Sequence, residues 1–280
     1  MARNKSYTYT YESSAGKTKS YSAMELRKRS VGKSLSFAAS EAYKLLRTNL
    51  MFSMSDESEC KIVGVTSALR GEGKSTTSMN LAYSLAENGS KTILVEADMR
   101  IPVVAAVFDI APSPGLSHIL AGLGDVKETV RKVGPSENLY VLPAGEIPPN
   151  PSEMLSSKRM ESLLETLSKE YDYIIIDLPP INAVSDGLAV SKLLSGMIMV
   201  VRQDYCNQHA LAEAMRQLEF LKVKLLGFVL NGADPQNKRY KYGSGKKYGK
   251  RYGAGYGSGY GYYKRSAKKG QPLTDKPDNK

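Results

Sequence analysis

The sequence predicts an α/β fold, a mostly parallel, doubly wound sheet flanked by helices, and three observations carry that prediction. Short apolar runs at residues 61–67, 92–96, 139–142, 173–177, 197–202 and 225–231 read as buried strands. Segments with helical apolar spacing separate most of them, and such alternation is the pattern of a parallel sheet with crossover helices. A glycine-rich turn joins the first run to a helix, and acidic residues close two of the others. Charged groups therefore collect at the carboxyl ends of strands, where doubly wound sheets bind their ligands.

Composition sets the frame. The chain has 280 residues, of which 41% are hydrophobic, enough for one large domain with a full core and tails. It contains no run of about 18 apolar residues, and MARNKSYTYTYESSAGKTKS has no apolar stretch after its basic residues. Neither a membrane span nor a secretory signal is expected, which places the protein in the cytoplasm. Cys60 and Cys206 stand far apart without partners at metal spacing, against a disulfide framework or a zinc site. The net charge of +11 belongs to residues 238–280, which hold 13 Lys/Arg against Asp275 and Asp278. Residues 1–34, basic, polar and serine-rich, are expected to be disordered, 35–237 to form the globular domain, and 238–280 to be a flexible tail.

Taken in order, residues 37–54 have helical apolar spacing, and Glu41, Lys44 and Arg47 follow at steps of three as a charged stripe, which periodicity alone reads as a solvated face. Residues 61–77, KIVGVTSALRGEGKSTT, are strand, loop and helix start. Ala68, Leu69, Arg70, Gly71, Glu72, Gly73, Lys74 and Ser75 fit the P-loop pattern G-x-x-x-x-G-K-S/T except at the first position, where alanine stands for glycine. The glycines can turn successive N–H groups inward and the helix adds its positive end, so residues 68–76, Thr76 included, form a cradle for a di- or triphosphate. Lys74 then reaches the terminal phosphates and Ser75 meets Mg2+.

Residues 75–88 form the first crossover helix, ended by Gly89. The strand at 92–96 ends in Glu96-Ala97-Asp98-Met99-Arg100, whose carboxylates face the P-loop crevice and suit a metal or a proton. Residues 101–135 are loops and a short helix around His118, which has no second histidine or cysteine nearby and is structural. Asn150 as N-cap, Pro151 at the first position and Glu153 closing a capping box start a helix expected to run to about Glu170. Asp177 ends the run YIIID as in a Walker B strand, opposite the P-loop serine, and is the third expected Mg2+ contact with Ser75 and Glu96. A helix at 209–221 and a last strand follow. The tail then interleaves Tyr240, Tyr242, Tyr248, Tyr252, Tyr256, Tyr260, Tyr262 and Tyr263 with Gly, Ser, Lys and Arg, a composition that also suits stacking on single-stranded nucleic acid.

Together these pieces resemble the bacterial tyrosine kinases called BY-kinases, over about residues 36–263: GEGKST, ILVEADMR, IIIDLPP, PPNPSEML and the tyrosine-rich tail each match. The resemblance implies an ATP- and Mg2+-dependent protein-tyrosine kinase of capsular and exopolysaccharide systems that autophosphorylates its tail tyrosines between subunits. It implies Lys74, Asp98, Arg100 and Asp177 as catalytic, with Asp98 orienting or deprotonating the phenol. EAYKLLRTN resembles the family's E-x-x-R-x-x-R helix, which implies ring assembly through Glu41, Lys44 and Arg47. It also implies a membrane adaptor of the polysaccharide co-polymerase type, recruitment to the inner membrane face and a partner tyrosine phosphatase, with nucleic acid not expected. Glu96 and Lys44 depart from the family's usual aspartate and arginine. Two rivals remain: a nucleic-acid-binding protein using the basic tail, and a partition or cell-division ATPase. The ATPases resemble K-G-G-x-G-K-S/T, whose extra lysine is replaced here by Leu69.

Overall fold

The computed structural model describes residues 8–12, 18–22, 30–54, 60–134 and 136–233, and the eight tail tyrosines lie outside them. A seven-stranded sheet has the order β5-β6-β4-β7-β3-β8-β9, with β3 (Lys61–Ser67), β4 (Thr92–Glu96), β6 (Leu139–Leu142), β7 (Tyr173–Asp177), β8 (Gly196–Arg202) and β9 (Leu225–Asn231) all parallel. The two-residue β5 (Arg131–Lys132) pairs antiparallel with β6 at one edge and has no signal in the sequence.

The inner strands are largely apolar because both faces of the sheet are covered there. Along β7, Ile174 and Ile176 join one core while Ile175 joins the other, and Met197 and Met199 alternate in the same way with Ile198 and Val200 along β8. One core packs under α4 (Leu116–Ala121), α6 (Pro151–Leu155), α7 (Lys158–Ser168) and α9 (Gln208–Phe220), through Leu116, Leu155, Leu163 and Leu218. The other packs under α1 (Phe37–Ser53), α2 (Lys74–Glu87) and α3 (Val104–Phe108), through Leu50, Leu81 and Val107. Local chemistry sets several starts: the Ser36 hydroxyl accepts from Ala39 N–H at α1, and Asn207 accepts from Ala210 N–H at α9. His118 Nδ1 accepts from Gly115 N–H at the start of α4.

Two expectations are corrected. The helix from Asn150 toward Glu170 is two helices, α6 and α7, because the hydroxyls of Ser156 and Ser157 bond back to the carbonyls of Glu153 and Met154 and so end the first. Ser157 then caps α7. The capping box at Asn150 does not form, since its side-chain amide donates to the Glu153 carboxylate at 2.6 Å. Thr8–Glu12 (β1) and Thr18–Ser22 (β2) pair antiparallel, and the alternating Thr and Tyr of β1 favour a pleated strand. Residues 30–34 are tied to α2 instead, where Asn80 donates to Ser30 O at 2.8 Å and accepts from Gly32 N–H at 3.0 Å. Contacts that distant in sequence leave no local signature.

Candidate active site

Register assembles the site. Val65 of β3 and Glu96 of β4 both pair with Asp177 of β7, so the P-loop, the EADMR segment and the Walker B aspartate converge on one end of the sheet. The loop turns on Gly71 and Gly73, at φ 89° and 96°, and runs into α2. A side chain at Gly73 would be strained by that φ, and its Cβ would lie 2.0 Å from Asn231 Nδ2. Asn231 donates to the Glu72 carbonyl at 2.8 Å, Arg202 to the Gly71 carbonyl at 3.2 Å, and the Tyr205 hydroxyl to the Arg70 carbonyl at 2.9 Å. The loop is thus braced from β8 and β9.

Lys74 is buried among acids, with Nζ 2.7 Å from Asp98 Oδ2, 3.7 Å from Asp177 Oδ1 and 3.3 Å from Ser75 Oγ. Burial alone would lower its pKa, but Asp177 and Asp98 outweigh that and hold it above its ordinary value, so the ammonium stays charged. Asp177 is fully enclosed, and burial pushes its carboxyl above the usual range against the pull of Lys74. Its Oδ1 accepts from Ser78 Oγ at 3.1 Å, whereas Oδ2 is buried with no hydrogen-bond partner among the described residues. A buried carboxylate oxygen left open beside a phosphate cradle fits a divalent cation. The cradle opens into a cavity of about 360 Å3 lined by Arg70, Gly71, Gly73, Lys74, Ser75, Thr76 and Asp98 on one side and by Arg100, Pro179, Arg202 and Asn231 around them.

A model of the AAA domain family matches residues 60–225. The tyrosine-protein kinase YwqD of Bacillus subtilis (strain 168) is 38% identical over 204 residues, 73% of this chain and 85% of that one. The kinase domain of the Escherichia coli tyrosine kinase ETK superposes with a TM-score of 0.67 at 34% identity, over 71% of this chain and 77% of the domain. The chain belongs to the bacterial tyrosine kinases. The septum site-determining protein MinD of Pyrococcus horikoshii, solved with Mg-ADP, shares with the kinase the fold alone, at a TM-score of 0.53 and 23% identity over 61% of this chain and 70% of its own.

Not every residue singled out by the sequence stands at the cavity. Ala68, Leu69 and Glu72 do not line it. Glu72 instead braces the loop from beneath, its buried carboxylate accepting from Leu69 N–H at 2.6 Å and Arg202 N–H at 3.3 Å. Glu96 is buried and its oxygens are engaged by backbone donors: Val103 and Val104 N–H at the start of α3, the latter at 2.7 Å, and Ala144 N–H at 3.2 Å. Burial raises its pKa to about 7 against those donors, and its visible work is to hold loops rather than to face the cavity. Arg100 does not join the cluster around Lys74. It pairs with Asp186, at the start of α8 (Asp186–Ala189), which no motif singles out. Arg202 and Asn231 end β8 and β9, so the rule that picks out Asp177 could have found them; Tyr205 has no such signal.

In the kinase the charged stripe on α1 is divided. Lys44 pairs within the helix with Glu41 at 2.9 Å, both about half exposed. Arg47 turns inward and donates to the Ser84 carbonyl at 2.8 Å, clamping α1 to α2. Among the described residues no helix is long and apolar enough to cross a membrane.

Proposed function

We propose that the kinase binds ATP with Mg2+ in the P-loop cavity and phosphorylates tyrosines of its own tail, Tyr240 to Tyr263, between the subunits of a ring. We propose further that it acts in capsular or exopolysaccharide synthesis and export, brought to the inner membrane face by an adaptor and reset by a tyrosine phosphatase. Resemblance to BY-kinases supports these cellular parts, and the tyrosine-rich basic tail supports the choice of acceptor. The observation that carries the chemistry is the contact of Lys74 with Asp98 in a cavity that Ser75 also lines, beside Asp177, one of whose oxygens has no partner among the described residues.

Ser75 and Asp177 would hold Mg2+, which when bound supplies positive charge to the phosphate oxygens. Lys74 contributes a second, fixed charge from the protein, and the N–H groups of residues 71–76 orient the chain of phosphates. Among the described residues Asp98 is the only carboxylate that both lines the cavity and touches Lys74, so it orients the acceptor phenol and takes its proton. A free phenol has a pKa near 10, and that proton need move only as the new O–P bond forms, so most of the catalysis is positioning and charge stabilisation. Incubation with ATP and Mg2+ followed by phosphosite mapping by mass spectrometry is expected to find phosphate on the tail tyrosines. ATP turnover with an unmodified tail would overturn the choice of acceptor.

A further inference from the structure

The PPNPSEML segment and the loop after β7 meet at a contact that the proposed chemistry leaves unused. The Asp186 carboxylate is buried and receives two hydrogen bonds from one guanidinium, Arg100 Nε to Oδ2 at 2.7 Å and NH2 to Oδ1 at 3.1 Å. The Ser152 hydroxyl, on α6, donates a third, to Oδ1. Three segments far apart in sequence thus converge on one acid. Exposure across the pair is lopsided, 1% for the Asp186 side chain and 44% for that of Arg100, which lines the cavity. A two-pronged contact fixes the plane of the guanidinium and still leaves NH1 without a partner among the described residues. Burial alone would raise the Asp186 pKa, but Arg100 and Ser152 bond to its ionised form and hold it below its ordinary value.

A strut between loops would need only the buried pair; it would not need a half-exposed guanidinium at the wall of the phosphate cavity. We propose that Asp186 is a positioning residue for phosphoryl transfer. It holds the Arg100 fork where the spare N–H groups meet the charge of the transferring phosphate, and Ser152 fixes Asp186, so the PPNPSEML segment acts on the reaction through this contact. The inference rests on the reading of the cavity as the ATP site.

The test is a set of double-mutant cycles on the full chain, with phosphotyrosine and ADP release both followed and ATP affinity measured separately. Asp186→Asn is expected to lower kcat by about 100-fold, the scale of a misplaced catalytic group, with the ATP KM changed only a few-fold. Ser152→Ala lowers kcat a few-fold. Arg100→Lys, which keeps the charge and loses the fork, loses as much as Asp186→Asn and keeps the proposal testable should that variant not fold. In an Arg100→Ala background, Asp186→Asn and Ser152→Ala are expected to change nothing further. Full activity in Asp186→Asn, or losses that add to that of Arg100→Ala, would overturn the proposal. Wild-type ADP release without phosphotyrosine would sink the kinase reading instead, and the same cycles read on ADP release would still decide whether Asp186 acts through Arg100.

Discussion

At the scale of single residues, the site works through carboxylates in different states. Asp98 sits at the cavity against Lys74, whereas Glu96, two positions earlier, is spent on backbone amides. Asp98→Asn is therefore expected to cost far more phosphorylation rate than Glu96→Gln at saturating Mg2+; equal losses would mean that Glu96 serves the reaction directly. Glu96 also predicts a pH dependence of stability. Its pKa rises from 4.5 to about 7, chiefly through burial, so the folded state retains a proton that the unfolded state has released. Stability should then fall as pH rises from about 4.5 through about 7, and level off above. Melting temperatures across that range should show the decline in the wild type and lose it in Glu96→Gln; parallel curves would rule out Glu96 as its source. Lys74→Met should abolish phosphotyrosine, but it does not leave the fold untouched. Lys74 is only 8% exposed and neutralises Asp98 and Asp177, so the variant leaves buried carboxylates unpaired. Its melting temperature should drop below that of the wild type.

Elements impose a different logic on the assembly stripe of α1. Glu41 and Lys44 are exposed, and such a pair contributes about 0.3 kcal/mol. Arg47 bonds a carbonyl of α2, and hydrogen bonds from a charged donor are worth more, about 1.5 kcal/mol. Glu41→Ala with Lys44→Ala should leave the melting temperature almost unchanged and, if the stripe mediates ring assembly, lower the sedimenting mass. Arg47→Ala should raise proteolytic sensitivity in residues 37–53 whatever it does to assembly. An Arg47→Ala protein as resistant as the wild type would show that the clamp on α2 is without weight. Glycine-rich loops and apolar runs made β3, α2, β4 and β7 legible because their signals are local. The break at Ser156–Ser157 was not, since it depends on two hydroxyls winning carbonyls from an otherwise sound helix.

For the whole molecule, charge is the quantity that changes. Residues 238–280 carry the +11, and each phosphotyrosine adds about −1.5 to −2, so eight of them outweigh that excess. If the tail is the acceptor proposed above, its full phosphorylation would reverse the sign of its charge and with it any electrostatic attraction between subunits. If the subunits form the proposed ring, light scattering before and after full phosphorylation should show it giving way to monomers, with a smaller difference at high salt. An unchanged mass would leave the tail a substrate without a role as a switch.

The sequence by itself determined the fold class, six parallel strands, the P-loop and the aspartate opposite it, because each rests on periodicity or on a motif only a few residues long. Tertiary structure alone decided the rest. Arg47 became a clamp and Asp186 the anchor of Arg100 through partners dozens of residues away, Glu96 became a loop holder partly through Ala144, 48 residues on, and no local pattern specifies which distant donor a buried carboxylate will meet. Folding also shifts the pKa values of Lys74, Glu96 and Asp177 upward, through neighbouring acids for the lysine and through burial for the two carboxyls, since a group's pKa follows its surroundings and the chain acquires those only on folding.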